Sequence, residues 1–312
     1  MMNSRYMRRK TTFIVLMLVM VMIVGSGCAA NKTVGEVNGT KITRGALDKY
    51  TNVLRLFMPD IEPMLASEEA RPQLEGQILD AMVENELLKQ LLKQKGLTVS
   101  EAEITTFYES QKPDLLMLAG GTEATFAAKL NELKLKEADL KDFLGGSVYV
   151  DKLITAQKET LTEEDVKAYI TQNPNMGVTL ELSHILLATE AEAIAAKARV
   201  TAGEDFGAVA KAVSIDPSAA QNSGYLDKVP ADATDFDPDF MVGANALAKG
   251  EVSQPVQSSF GWHIILLKDR IVPTEEEKAQ LTEQAKARLA EERLFAEFDE
   301  FKEGADIKTT LS

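Results

Sequence analysis

The sequence predicts an α+β protein in which a compact domain of strands, helices and loops is inserted into a mainly helical one. Apolar residues recur at helical spacing from about residue 72 to 157, and again after Pro273. Two strand patterns, 178–187 and 262–268, bracket a segment of helices and loops. The turn-rich run Gln172-Asn173-Pro174-Asn175-Met176-Gly177 precedes the first of them and marks a domain boundary. A chain of 312 residues is long enough for two domains. One long charged helix cannot be a domain, so the helix after Pro273 is expected to pack on the N-terminal helices. The helical domain would then be discontinuous, 28–176 with 272–312, around an inserted domain of 177–271.

The first 27 residues read as a leader. Arg5, Arg8, Arg9 and Lys10 precede an unbroken apolar run from Phe13 to Val24. That run of 12 is shorter than the ~20 residues a spanning helix needs and suits a signal-peptide core. Gly25-Ser26-Gly27-Cys28 follows and looks like a bacterial lipobox, although its first position is Gly25 where Leu is usual. Cys28 is expected to be lipidated, anchoring the mature chain on the extracytoplasmic face of the cell membrane. The alternative is ordinary secretory cleavage after Ala30, with Cys28 incidental. As the only cysteine, Cys28 leaves the chain no internal disulfide and no other thiol for catalysis.

Val34 to Thr43 alternates around Asn38-Gly39, a hairpin pattern, and Thr43 is placed to cap a helix. Ile78, Met82, Leu88, Leu91 and Leu92 share one broad helical face that Gly96 ends. Ser100-Glu101-Ala102-Glu103 is a capping box, and further helices are expected over 125–135 and 137–157. Leu161-Thr162 with its acidic turn repeats the start signal of Leu97-Thr98, as shared cap chemistry and not as a repeat. Helices are expected over 189–202 and 205–213, whereas 216–239 shows little periodicity. Leu281, Ala285, Leu289, Phe295 and Phe298 stripe the final helix, and Gly304 stops it.

The formal net charge is −14, and removing the four positive charges of 1–27 would leave −18. No basic stripe remains to neutralise phosphates, which excludes nucleic acid as a partner. Acidity here serves solubility.

The only two histidines, His184 and His263, lie in matching strand contexts, Leu182-Ser183-His184-Ile185-Leu186 and Gly261-Trp262-His263-Ile264-Ile265. One histidine in an apolar strand is more often a satisfied core residue than a catalyst; two in matching contexts shift that balance modestly.

The motifs around them go further. Ser183-His184-Ile185-Leu186, the run Gly203 to Ala210, Ser214-Ile215-Asp216-Pro217-Ser218-Ala219, the run Gly250 to Val256, and Phe260-Gly261-Trp262-His263-Ile264-Ile265 resemble the successive signatures of parvulin-type peptidyl-prolyl isomerases. Val37-Asn38-Gly39 with Ile42-Thr43, the helix 78–96 and the terminal Ala305-Asp306-Ile307-Lys308 are similar to foldase lipoproteins of the PrsA type and to SurA chaperones. The resemblance implies a parvulin domain, an antiparallel sheet with surrounding helices, inserted in a SurA-like helical chaperone domain. It implies a prolyl isomerase and foldase acting on unfolded exported polypeptides, with no cofactor and no metal; a homodimer is left open. It implies catalytic roles for His184, Asp216 and His263. Phe236 and Phe240 would line the proline pocket, and Ser258 and Phe260 would join the substrate site. Asp216 takes a position that is Cys or Asp in the family.

Two departures bear on efficiency. Ser223 and Asp227 replace glycines of a Gly-Gly and a Leu-Gly pair, and Asn245 stands where an apolar aromatic is usual. They are expected to loosen the loop or the pocket wall. The segment Ala188 to Glu192 offers no basic cluster for phosphoserine. Two other readings compete: a holdase whose parvulin domain is inactive or secondary, and a hydrolase using Ser258 or Ser259 with His263 and Asp216. The second lacks a nucleophile elbow. Two histidines without clustered Cys, Asp or Glu make a poor metal site.

Overall fold

The computed structural model describes residues 30–311. The leader 1–27 and Cys28 lie outside the described residues. The chain divides into two compact units: one holds the chain up to Thr160 together with the segment from Ala290, and the other runs Leu161–Leu289.

In the first unit, β1 (Thr33–Val37) and β2 (Thr40–Thr43) form the expected hairpin. Asn38 and Gly39 turn it with φ of 48° and 84°, the left-handed pair a two-residue turn requires. Thr43 caps α1 (Arg44–Phe57), its hydroxyl accepting from the Ala46 N–H. A 3₁₀ turn (Pro59–Ile61) and the short α2 (Glu62–Ala66) lead to α3 (Ala70–Gln94). Ile78, Leu79, Met82, Leu88, Leu91 and Leu92 of α3 are buried in the core. Then come α4 (Glu101–Leu118), α5 (Glu123–Glu132) and α6 (Glu137–Thr160). The Ser100–Glu103 capping box forms as the sequence predicts. Each such reciprocal cap satisfies two backbone donors that a helix start leaves orphaned.

The second unit opens with α7 (Glu163–Gln172), capped by Thr162 and Asp165. Its sheet is antiparallel, in the order β4 (Tyr225–Pro230), β3 (Thr179–Leu187), β6 (Gly261–Ile271), β5 (Val256–Ser258). Between β3 and β4 run α8 (Glu190–Thr201), α9 (Phe206–Val213) and the single turn α10 (Ala219–Asn222). Between β4 and β5 lies α11 (Pro238–Asn245). Alternation along β3 sorts the two faces. Ile185 and Leu187 pack with Ala193, Ala196, Phe206 and Val209 of α8 and α9. Leu180 and Leu182 pack with Phe240, Met241 and Ala244 of α11. His184 continues this second face, as His263 does along β6.

The last helix, α12 (Glu275–Glu303), starts in the second unit and ends in the first. Ala285 joins Val166 and Met176 in a small cluster of the second unit, while Leu294 and Phe298 lie in the first unit's core. The buried positions are Ala285, Ala290, Leu294 and Phe298; Leu281, Leu289 and Phe295 of the expected stripe are only half-buried. Beyond it, β7 (Ile307–Thr309) pairs with β1, and Asn38 exchanges two hydrogen bonds with the Asp306 backbone.

Segment 216–239 contains a strand, β4, that periodicity misses. Only Val229 of its six residues is buried, because β4 is an edge strand. Both glycine replacements sit here with left-handed backbone: φ is 61° at Ser223 and 65° at Asp227. Asp227 stands at a bulge, where Leu226 is the extra residue opposite Leu182 and Ser183. The neighbouring Gly224 cannot be replaced in this way. A Cβ there would lie 2.2 Å from the His184 carbonyl oxygen. Gly224 also accepts the His184 N–H through its own carbonyl, at 2.7 Å.

These positions give opposite expectations in denaturant unfolding followed by Trp262, the only tryptophan, which lies in β6. Ser223→Gly should stabilise the second unit by roughly 0.5 kcal/mol, as relief of left-handed strain exceeds the added chain entropy. Gly224→Ala should destabilise it by more than ~2 kcal/mol, because the clash adds to that strain.

Candidate active site

Antiparallel pairing of β3 with β6 places His184 opposite Ile265 and His263 opposite Leu186. The histidines are therefore diagonal neighbours on the α11 face. Their rings stack, with centroids 5.5 Å apart and a 20° interplanar angle. The two Nδ1 atoms approach to 3.3 Å. Both side chains are buried, at 7% and 5% exposure.

The chain of contacts continues at each end. His184 Nε2 lies 2.8 Å from Asp216 Oδ2, and His263 Nε2 lies 2.7 Å from Ser258 Oγ. One set of protons satisfies all of them. A carboxylate only accepts, so His184 donates from Nε2 and offers a bare Nδ1. His263 donates to it from Nδ1 and accepts at Nε2, where the Ser258 hydroxyl donates. In this set both imidazoles are written neutral, and the tautomer of each is set by its neighbour.

Electrostatics agree with this arrangement. Burial, and then the adjacent His184 ring, push His263 down from 6.5 to about 4. Burial alone would raise Asp216, but the Ser218 N–H, His184 and the Ser218 hydroxyl outweigh it and hold the carboxyl below its usual value.

Phe240 forms the apolar side of the site. Its ring meets His263 edge-on at 5.0 Å and His184 at 6.1 Å, and Phe236 stacks on it at 5.9 Å. Phe240 is buried and Phe236 half-buried. Helix α11 presents Phe240 because Asp237 caps it, accepting from the Asp239 and Phe240 N–H groups, with Pro238 in the first turn. The other oxygen of Asp237 accepts from the Ser259 N–H and hydroxyl. One carboxylate thus ties the aromatic wall to the β5–β6 turn.

The structure brings His184, Asp216, His263, Phe236, Phe240 and Ser258 together. Phe260 lies on the β5–β6 turn, 71% exposed, and its N–H donates to Ser258 Oγ. Asn245 does not open the pocket wall. Its Nδ2 donates to the Ala231 carbonyl and its backbone carbonyl accepts from Arg270, so it braces the end of α11. The motif that carries Asp216 also holds Ser214 and Ser218, without a role for either, and Asp237 lies outside the quoted motifs. Ser214 Oγ accepts from the N–H groups of Leu186 and Asp216, seating the Asp216 loop beside β3. Asp237-Pro238 carries a helix-start signal; Ser218 acts through local bonds and Ser214 through a bond to a residue 28 positions away, and neither has a spacing signature.

Comparison with known proteins follows the same division. A model of the PPIC-type PPIase (rotamase) domain matches residues 184–269, and one of the SurA-like N-terminal domain matches 5–132. The foldase protein PrsA of Clostridium kluyveri (strain ATCC 8527) is 35% identical over 259 residues, covering 76% of this chain and 74% of that protein. The chain belongs to the PrsA foldase family. PrsA of Clostridium botulinum (strain 657) is 28% identical over 297 residues, covering 90% of this chain and 88% of that protein. A crystal structure of the peptidylprolyl isomerase PrsA from Bacillus anthracis is 24% identical, covers 71% of this chain and 95% of its own, and superimposes with a TM-score of 0.47.

The neutral, buried His263 of this PrsA-family chain makes its stability depend on pH. Below pH 6.5 the unfolded chain binds a proton that the folded chain refuses until about pH 4. Stability from this group is therefore full above 6.5 and lost as pH falls towards 4, about 3 kcal/mol over the window. Denaturant unfolding should show wild type losing ~2 kcal/mol between pH 6.5 and 5. His263→Gln should lose distinctly less over the same interval; equal losses would place the titrating group elsewhere.

Proposed function

We propose that Phe240, Phe236 and the paired imidazoles of His184 and His263 form the pocket in which this chain catalyses peptidyl-prolyl cis/trans isomerisation. The chain is a peptidyl-prolyl isomerase and foldase, and its substrates are unfolded polypeptides. The observation that carries the site assignment is the position of Phe240, edge-on to both neutral imidazoles.

The reaction needs no nucleophile. Rotation about an Xaa-Pro bond breaks amide resonance, against a barrier of ~18–20 kcal/mol. Uncatalysed exchange takes tens to hundreds of seconds, slow enough to limit folding. The twisted bond is less polar than either planar form, so a dry apolar pocket favours it, and only what favours the twisted state more than the planar states accelerates the step. Phe240 and Phe236 supply the apolar walls for the prolyl ring. The imidazoles supply the floor, and burial keeps His263 uncharged at neutral pH. Asp216 and Ser258 hold the two rings in register from either end. Asp216 is a positioning residue, acting through His184.

The inserted isomerase domain is 177–271 in this reading, within a helical chaperone domain of 28–176 and 272–312. The helical domain holds exported clients while their prolyl bonds exchange. The segment after β3 carries the acidic cap Thr189–Glu192 and no basic cluster, which favours clients without phosphate. Lipidation at Cys28 keeps the chain at the outer face of the cell membrane; among the described residues no helix is long and apolar enough to cross a membrane.

Phe240→Leu in the full chain should lower kcat/KM on short Xaa-Pro peptides by roughly tenfold, since an edge-to-face aromatic pair is worth ~0.5–1.5 kcal/mol and this ring makes two. A wild-type chain that gives no acceleration yet suppresses client aggregation would establish the holdase reading instead. Cys28→Ser should move the protein from the membrane fraction to the soluble fraction; retention in the membrane after correct processing would contradict lipidation.

A further inference from the structure

The hydrogen-bond chain that fixes the imidazoles ends on a hydroxyl, and prolyl isomerisation makes no chemical use of it. Ser258 Oγ donates to His263 Nε2 at 2.7 Å, His263 Nδ1 faces His184 Nδ1 at 3.3 Å, and His184 Nε2 reaches Asp216 Oδ2 at 2.8 Å. A hydroxyl, a bare imidazole nitrogen and a buried route to a carboxylate are the parts of an activated serine, here with two imidazoles between serine and acid. We propose that Ser258 is a nucleophile that takes an acyl group from activated esters, those of N-acylated proline above all. The preference for proline rests on the reading of Phe240, Phe236 and the imidazoles as a prolyl pocket.

The Ser258 oxygen forms a bond to the ester carbonyl carbon, and its proton passes to His263 Nε2. The Nδ1 proton of His263 passes to His184 Nδ1, and the imidazolium so formed is held by Asp216. The ester C–O bond breaks and the alkoxide or phenolate leaves with its electron pair. The excess proton is returned to solvent. The products are the Ser258 ester and the free phenolate.

The geometry also limits turnover. Enzymes that turn over acyl groups aim preorganised donors at the oxyanion of the tetrahedral intermediate. Next to Ser258 Oγ stands the Phe260 N–H at 3.0 Å, while the Ser259 N–H is engaged by Asp237. The Phe260 N–H bonds the nucleophile oxygen itself, so neither N–H of the turn is placed for the oxyanion; an activated aryl ester, with its good leaving group, still acylates the serine, whereas the resulting alkyl ester hydrolyses slowly and the acyl group stays. The device is an acylation site, and multiple turnover is not expected of it.

The full chain is incubated with 4-nitrophenyl acetate, or with the 4-nitrophenyl ester of N-acetylproline, and phenolate release, intact mass and the labelled peptide are followed. The expected result is a burst of one phenolate per chain, one acyl group on Ser258, and faster labelling by the proline ester. Ser258→Ala should abolish the burst, and His263→Gln should slow it about a hundredfold, within the range of general-base assistance. Peptide isomerisation is measured on the same preparation. Isomerisation without acylation of Ser258 by either ester would overturn this inference alone. Acylation by both esters at equal rates with no isomerisation would instead overturn the prolyl pocket. A label on lysines, or an undiminished burst in Ser258→Ala, would also overturn the inference; because that variant unpairs His263 Nε2, its fold is checked by denaturant unfolding of the same preparation.

Discussion

The second unit is organised around the Asp216 carboxylate. Asp216 can only accept, and that constraint is passed along the sheet. It sets the tautomer of His184, which sets that of His263, which sets the direction of the Ser258 hydroxyl. Each group lies on a different element: the loop after α9, β3, β6 and β5. The hydrogen-bond chain therefore runs across the strands, and the sheet's antiparallel register is what aligns it. A buried polar network is tolerable in an apolar core only when every member is satisfied. Here it leaves two stacked rings beneath Phe240, the surface we propose as the floor of the prolyl pocket.

Backbone features serve the same end. Gly224 lets the β4 edge approach the His184 carbonyl, and Ser214 seats the Asp216 loop against Leu186. Asp237 couples the start of α11, and with it Phe240, to the turn that carries Ser258. The two replaced glycines are accommodated with left-handed backbone at Ser223 and Asp227, so the loop keeps its path at the cost of local strain.

Much of this was legible in the sequence, for identifiable reasons. Long helices declared themselves by apolar period and by caps such as Ser100–Glu103 and Thr162–Asp165. Strands β3 and β6 are buried in the middle of the sheet and read as apolar runs. Edge strand β4 buries one residue in six, and β5 and β7 have three residues each, too few to show a period. Helix α11 has eight residues, too few for a clear period, and its Asp-Pro start is its one sequence signal. Of the site, the residues came from motif resemblance. Their connection did not, because it depends on a pairing of strands 79 residues apart. Asn245 illustrates the limit: identity alone suggested a weakened wall, whereas its amide braces Ala231.

The small number of histidines makes the central claim directly measurable. With only His184 and His263 in the chain, the imidazole ¹⁵N spectrum at pH 7 contains two rings, distinguished by a His184→Gln variant. The account requires both rings to be neutral, His263 protonated at Nδ1 and His184 at Nε2. An imidazolium at either position, or His263 protonated at Nε2, would contradict it.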